Sequence, residues 1–323
     1  MTTLLLATTG GHLTQLNELS RRFPEDGETV WVTHENEQST SMLAERDAYF
    51  VPYVGVRSIS GVLRCVPAAR RLMNSRKFTR AVSTGSGIAL GFLPYLAARG
   101  VECHYVESAT RVLGPSLTGR ILHRVPGVRT YTQYPHWQSR RWHFAGSVLD
   151  GYEAVAAAHE PTERIRVVVT LGAATEFPFR RLVEQLVPLV APHGPLHQAT
   201  GLEPTVLWQT ADTPVDDLPI RPAPFLPAAE LTAALAGADI VVSHAGTGSA
   251  LAALGSGRAP LLVPRDPEHG EVGDDHQFQL AAELSRRSLG VRRDAESITV
   301  EDLLLTLSMA ARRTPTPAPF SFH

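Results

Sequence analysis

Short apolar runs of about four to six residues recur along this chain, and between them apolar positions return at helical spacing. The run at 4–8 predicts a buried strand, Gly10 and Gly11 a turn, and the pattern at 13–23 a helix. Strands are predicted at 29–33 and 81–84, a helix at 87–99 and another strand at 103–106. Apolar runs without polar alternation suit strands covered on both faces, as in a parallel sheet.

The same plan then starts again. The polar, Ala-rich stretch at 151–163 reads as a linker. A strand at 166–170 leads to Gly172 and a helix at 177–190, and 192–204 reads as a loop. Later strands are predicted at 206–208, 240–243 and 260–263, with helices at 228–236, 247–256 and 300–312. The Pro-rich tail, 314–323, reads as disordered. The expectation is an α/β chain of two doubly wound, Rossmann-like domains, 1–150 and 151–323, facing each other across a cleft. A length of 323 residues suits two domains, at about 150 residues each.

Composition narrows the class. Hydrophobic residues make up 43% of the chain, enough for a core in each half. The longest apolar candidate, 88–98, is shorter than the roughly 18 residues a membrane span needs. No basic segment precedes the apolar start, so no signal peptide is expected. Cys65 and Cys103 stand without CxxC or nearby His spacing, which argues for a reducing compartment and against zinc or a disulfide framework. The expected location is cytoplasmic, with peripheral attachment to the inner face of the membrane open.

Charge is unevenly spread. The net charge is −2, yet residues 1–149 carry 17 basic and 10 acidic groups, and the remainder carries 13 and 22. Seven basic residues and no acid lie between Arg57 and Arg80. Such a stretch suits an anionic partner such as a membrane surface, or is simply a solvated helix face. Lys77 is the sole lysine, which excludes a P-loop lysine and argues against Schiff-base chemistry. No nucleic-acid partner is expected.

Three glycine turns follow predicted strands: Gly10-Gly11-His12, Gly172-Ala173-Ala174 and His244-Ala245-Gly246-Thr247-Gly248-Ser249. A turn there exposes the next helix's first N–H groups, which suits an anion. None matches GxGxxG or GxxxxGK[ST]. Gly172 alone reads best as a close strand-to-helix turn, whereas Gly246 to Ser249 combine two glycines with two hydroxyls and suit a diphosphate. His12 sits at the carboxyl end of the first strand and can serve as a general base, or simply cap its helix. Asp274 and Asp275 open another helix, where acids complement the dipole; as a metal pair they lack a third placed ligand. His276 and Gln277 can hydrogen-bond sugar hydroxyls. Glu107, before Ser108 and Arg111, can bind or activate a hydroxyl, or pair with Arg111. Glu35 lies where a dinucleotide fold keeps its ribose acid. Trp208, Phe225 and Leu226 read as core or cleft wall.

These motifs together resemble glycosyltransferase family 28. Gly10-Gly11-His12 is similar to the family's GGH turn. Ser243 to Ser249, Val263-Pro264-Arg265 and Asp275-His276-Gln277 resemble its C-terminal domain. Val106-Glu107-Ser108 and Ser116-Leu117-Thr118-Gly119-Arg120 look like the acceptor subunit of the two-part enzyme that extends dolichol-linked sugar. The second half looks like that enzyme's donor-binding subunit, and paired bacterial exopolysaccharide glycosyltransferases show the same motifs. Here both parts stand in one chain, and the resemblance spans nearly all of 1–312. It implies a GT-B fold with the acceptor in the first domain, a UDP-sugar in the second, and inversion without a required metal or other cofactor.

By the same resemblance, His12 is the base; Glu107, from its place one residue past a strand, is a second catalytic candidate. Gly10, Gly11, Ser108 and Arg111 serve the acceptor, a saccharide or lipid-linked saccharide. Gly246, Thr247, Gly248 and Ser249 hold the diphosphate, with Gly172, His244 and Arg265 beside them. Phe225 and Leu226 meet the uracil, His276 and Gln277 meet the sugar, and Asp275 stands with them on the donor side. Many relatives grip ribose with a Glu where this chain has Ala252. Two other readings stand beside transfer: a UDP-sugar 2-epimerase, against which the acid-poor 57–80 stretch argues, and a non-catalytic sugar-nucleotide-binding subunit.

Overall fold

The computed structural model describes residues 2–24, 27–55, 58–158, 160–172 and 177–322. They form two compact units, Met1–Gly151 with Thr316–His323, and Tyr152–Pro315.

The first unit runs β1 (Thr2–Ala7), α1 (Gly11–Ser20), β2 (Glu28–His34), α2 (Glu37–Met42), β3 (Ala48–Val51), α3 (Ile59–Ser75), β4 (Arg80–Gly85), α4 (Gly87–Ala97), β5 (Glu102–Val106), α5 (Leu117–Leu122), β6 (Val128–Thr132) and β7 (Trp142–Phe144). Its strands form one parallel sheet in the order β3-β2-β1-β4-β5-β6-β7. The chain leaves β1 toward one edge and returns through β4 toward the other, so the order reverses between β1 and β4. Leu4, Leu5, Leu6, Ala81 and Val82 are all buried, because the sheet is covered on both faces.

The tail departs from the sequence expectation. It is packed, not disordered, and belongs to the first unit. Phe320 is fully buried, its N–H bonds the Arg22 carbonyl at 2.9 Å, and its ring meets Phe23 at 5.6 Å and Tyr131 at 5.8 Å. The apolar area of Phe320 and Phe322 offsets the entropy of ordering a Pro-rich segment.

The second unit runs β8 (Tyr152–Ala156), β9 (Arg164–Thr170), α6 (Arg180–Leu189), α7 (Pro195–Thr200), β10 (Glu203–Gln209), β11 (Pro222–Ala223), α8 (Ala228–Gly237), β12 (Ile240–Ser243), α9 (Thr247–Gly255), β13 (Leu261–Leu262), α10 (His276–Arg286), β14 (Val291–Arg292), α11 (Val300–Leu307) and β15 (Met309–Arg313). A parallel sheet in the order β11-β10-β9-β12-β13-β14 reverses between β9 and β12. Alternate residues feed opposite faces: Val167, Val169 and Val242 enter one core, Val168 and Val241 the other.

Two further expectations are corrected here. The helix predicted over 300–312 ends at Leu307, and β15 pairs antiparallel with β8 inside the presumed linker. Residues 309–313 lack the apolar return of a helix, and Arg312 instead bonds Glu153 across the strand pair at 2.9 Å. The loop predicted over 192–204 contains α7, which starts on Pro195 and ends at left-handed Gly201 with φ 72°. Cys65 and Cys103 are free and buried. Among the described residues no helix is long and apolar enough to cross a membrane.

Candidate active site

In open α/β sheets, ligands bind beyond the carboxyl ends of the strands where the strand order reverses. In the first unit those ends are Thr8 to His12 after β1 and Ser86-Gly87 after β4. Gly10 has φ 84°, a left-handed value that favours glycine and turns the chain directly into α1. His12 therefore stands on the first turn of α1. Its Nδ1 lies 2.7 Å from the Thr84 carbonyl oxygen. A carbonyl can only accept, so Nδ1 carries the proton and the neutral ring keeps its lone pair on Nε2. The Thr84 hydroxyl donates back to the His12 carbonyl at 2.8 Å. The first bond fixes ring orientation and tautomer, and the second ties the start of α1 to the end of β4.

The turn is further held by Gln38, whose Oε1 accepts the Gly10 N–H at 2.6 Å and whose Nε2 reaches Thr14 Oγ1 at 3.2 Å. Glu35, the possible ribose acid, lies exposed just past β2, and Asn36 after it caps α2.

Glu107 is the anchor of a buried polar cluster. It is 1% exposed and accepts from Tyr105 Oη at 3.0 Å, Ser108 N at 3.1 Å, Ser116 N at 2.9 Å and Ser116 Oγ at 3.0 Å. Burial raises its pKa, while the Ser116, Ser108 and Tyr105 donors pull the other way. Both carboxylate oxygens are thus engaged by the chain itself. Ser116 also caps α5 through Gly119 N at 3.1 Å. A Cβ on Gly119 would overlap Glu107 Oε2 and lie 3.0 Å from Trp142. The Ser116 to Arg120 motif and Glu107 are therefore one packed device.

Two glutamines that the sequence reading did not single out bind this device to the glycine turn. Gln15 on α1 bonds Ser108 Oγ at 3.1 Å and the Ala109 N–H at 2.7 Å. Gln133, just after β6, donates to Gln15 Oε1 at 3.1 Å and to the Glu107 carbonyl at 2.9 Å. Gln15 is a buried polar residue one turn after Gly11, and its burial is visible only in the fold. Ser108 is buried and Arg111 half-buried.

In the second unit the corresponding strand ends are Leu171-Gly172 after β9 and His244 to Ser249 after β12. Ala173 and Ala174 of the predicted turn lie outside the described residues. Gly246 is the N-cap of α9, and the first helical bond runs from Ala250 N to Gly246 O at 3.0 Å. The N–H groups of Thr247, Gly248 and Ser249 precede it and have no intrahelical acceptor.

His244 packs directly against Gly172, which has φ 76°, and a Cβ there would sit 2.5 Å from His244 Cε1. Burial, then the nearby Arg265 charge, lowers the His244 pKa to about 3. Arg265 is 2% exposed, donates to the Leu171 carbonyl at 2.9 Å, and lies 5.7 Å from the Phe179 ring centre. Burial lowers its pKa to about 10, so it stays cationic at neutral pH.

Asp274 bonds His276 N at 3.2 Å and also meets His276 Nδ1, while Asp275 Oδ1 accepts from Gln279 at 3.0 Å. Both acids thus support the start of α10. Gln277 is buried, and its Oε1 accepts the Arg265 N–H at 3.0 Å. Phe225 is 44% exposed and Leu226 half-buried, between β11 and α8, so Phe225 is not a core residue. Trp208 on β10 is in the core.

Residues 166–318 match the model of the glycosyltransferase family 28 C-terminal domain. Both the Gly246 to Ser249 turn and the Asp275-His276-Gln277 helix start lie within the matched residues. Over 70 residues the chain is 40% identical to the UDP-N-acetylglucosamine transferase subunit ALG13 of Yarrowia lipolytica, covering 21% of this chain. It spans about a third of that relative's length, 34%.

The structure is similar to that of MurG from Acinetobacter baumannii, with TM-score 0.57 and 16% identity over 94% of this chain and 88% of that one. It is also similar to UDP-GlcNAc 2-epimerase from Methanocaldococcus jannaschii, with TM-score 0.60 and 9% identity over 95% and 92%. At such identities the likeness concerns the fold, and the fold is the two-domain α/β GT-B type.

Proposed function

We propose that the chain is an inverting glycosyltransferase that moves a sugar from a UDP-sugar to a hydroxyl of a saccharide acceptor, lipid-linked, in polysaccharide or glycolipid biosynthesis. The observation that carries this reading is the family 28 domain, whose α9 start stands at the strand-order reversal of its sheet. There the N–H groups of Thr247, Gly248 and Ser249, with the Thr247 and Ser249 hydroxyls, receive the diphosphate. Arg265 adds a desolvated positive charge, and departing UDP gains negative charge that these groups stabilise. Phe225 and Leu226 serve the uracil, and His276 the sugar. Asp275 and Gln277 act by holding the α10 start and the Arg265 backbone.

The first unit supplies the acceptor side. His12, with Nδ1–H bound to Thr84, takes the acceptor's proton on Nε2 as the hydroxyl attacks the anomeric carbon. Gly10, Gly11, Ser108 and Arg111 line the acceptor's approach. Glu107 acts as a positioning residue through Ser108 and Ser116. A membrane-borne acceptor is supported by α3, whose outer face exposes Ile59, Leu63, Arg64, Arg70 and Arg71. Apolar side chains flanked by arginines suit an anionic lipid surface.

The test is a UDP-sugar panel read by thermal shift, followed by incubation with and without a lipid-linked saccharide. A preferred donor raises Tm, by about 2.7 kcal/mol of stabilisation at a hundredfold excess over Kd. Gly248→Val, which fills the space a phosphate needs, loses that shift while staying folded. A new UDP-sugar formed without acceptor would replace transfer by epimerisation, and wild-type UDP affinity in Gly248→Val would move the nucleotide elsewhere.

A further inference from the structure

At the opposite end of the second unit's sheet, away from the strand ends that carry Gly172 and His244, lies a group of metal-ligating side chains with no part in transfer. His193 precedes α7, His197 lies on it, and Glu203 opens β10. The Nδ1 atoms of His193 and His197 are 3.2 Å and 3.5 Å from the same Glu203 oxygen, Oε1. The ligand atoms of all three residues fall within 4.8 Å of one another. We propose that His193, His197 and Glu203 form a binding site for a Zn²⁺-class divalent cation that clips the α6–α7 turn to β10.

The distances suit a metal. With ligands about 2.0–2.1 Å from a tetrahedral ion, neighbouring ligand atoms stand roughly 3.3–3.4 Å apart, close to both edges measured here. Hydrogen bonding accounts for them less well: His197 Nδ1 is buried and has no hydrogen-bond partner among the described residues, although Glu203 Oε1 is near. That nitrogen stands 3.5 Å from the oxygen without a hydrogen bond to it, as two ligands around a third centre do.

The chain holds the group in place. Gly194 allows the turn, because a Cβ there would lie 2.8 Å from both the Ala191 and Pro188 carbonyls. Gln198 Nε2 bonds the His193 carbonyl at 3.0 Å, and Leu196 is fully buried between the two histidines in sequence. A fixed backbone removes much of the ordering cost of binding. Two imidazoles and one carboxylate favour Zn²⁺, Cu²⁺ or Ni²⁺ over Mg²⁺ or Ca²⁺, which take oxygen ligands. His193 is 81% exposed, so a fourth position opens to water.

The experiment uses full-length, tag-free protein, first stripped with chelator. Zn²⁺ is titrated in competition with a chromogenic chelator, and Tm is read with and without Zn²⁺. One Zn²⁺ per chain is expected, with a rise in Tm, and no comparable binding of Mg²⁺. His193→Ala, His197→Ala and Glu203→Gln each bind Zn²⁺ at least about tenfold more weakly. The double variant His193→Ala/His197→Ala loses the Tm rise while keeping the wild-type circular dichroism spectrum. Should the histidine variants fail to fold, Glu203→Gln alone carries the comparison. No stoichiometric Zn²⁺, equal Zn²⁺ affinity in these variants, or equal preference for Mg²⁺ would overturn the site.

Discussion

Gly172→Ala tests the strand end of β9 directly, and Gly201→Ala supplies its control. Both glycines lie in the second unit with nearly equal left-handed φ, 76° and 72°. Around Gly201 an added Cβ meets nothing within 4 Å, whereas at Gly172 it sits 2.5 Å from His244 Cε1 and 3.0 Å from Nε2. Each variant incurs the left-handed penalty of about 1–2 kcal/mol. Gly172→Ala must also displace a buried ring held beside the Thr170 carbonyl at 3.5 Å. Overpacking of that kind costs about 1–3 kcal/mol more. With about 2–4 °C of Tm per kcal/mol for a unit of this size, the difference between the variants is easily resolved in a melting curve. UDP binding separates them again: moving His244 disturbs the turn into α9, so Gly172→Ala weakens UDP and Gly201→Ala does not. Equal loss of Tm in the two variants, with wild-type UDP affinity in both, would refute this account of Gly172.

Other consequences concern the acid, the base and pH. His12→Ala is expected to keep UDP-sugar affinity and lose about 10²- to 10⁴-fold in transfer, as removal of a general base does; turnover near wild type removes His12 from the chemistry. Glu107→Gln lowers Tm because an amide nitrogen cannot accept the bonds from Tyr105, Ser108 or Ser116, and it raises the acceptor KM. The same variant leaves the pH profile of kcat unchanged, since a positioning residue moves no proton, and a lost limb in that profile would make Glu107 catalytic instead. His244 is held neutral in the fold, with its pKa lowered to about 3 by burial, against about 6.5 when unfolded. The folded state therefore binds fewer protons below pH 6.5, so this stability is full above that value and falls as pH drops toward 3. In urea titrations His244→Asn should flatten this acid limb by up to about 1.4 kcal/mol per pH unit, and an unchanged slope counts against a buried neutral ring.

The central strands were readable in the sequence because burial on both faces leaves uninterrupted apolar runs such as those of β1 and β9. The glycine turns were readable because positive φ and close approach restrict residue choice at Gly10 and Gly172. What escaped depends on partners far apart along the chain. Strands β8 and β15 pair Tyr152 with Arg313, and neither segment is apolar enough to announce itself. The tail is fixed by Phe320 against Phe23, and nothing in a Pro-rich decapeptide reports the ring that waits for it.

The glycines show why a motif can be recognised before its reason is known. Gly172 reads as a simple turn, yet it is required twice, by its φ and by the His244 ring across the sheet. Gly119 has no unusual φ and lies inside α5, where helix propensity alone disfavours glycine by about 1 kcal/mol relative to Ala. Its place is set by the Glu107 carboxylate, which occupies the volume a Cβ would need. In both units, then, a glycine beside the candidate site marks a buried polar side chain packed against the backbone: a neutral histidine in one, a carboxylate in the other. Such a side chain is secure only while its own hydrogen-bond partners stay in register. The volume left free at each glycine and the polar network therefore stand or fall together, and a substitution at either glycine acts on the site through the polar group it displaces.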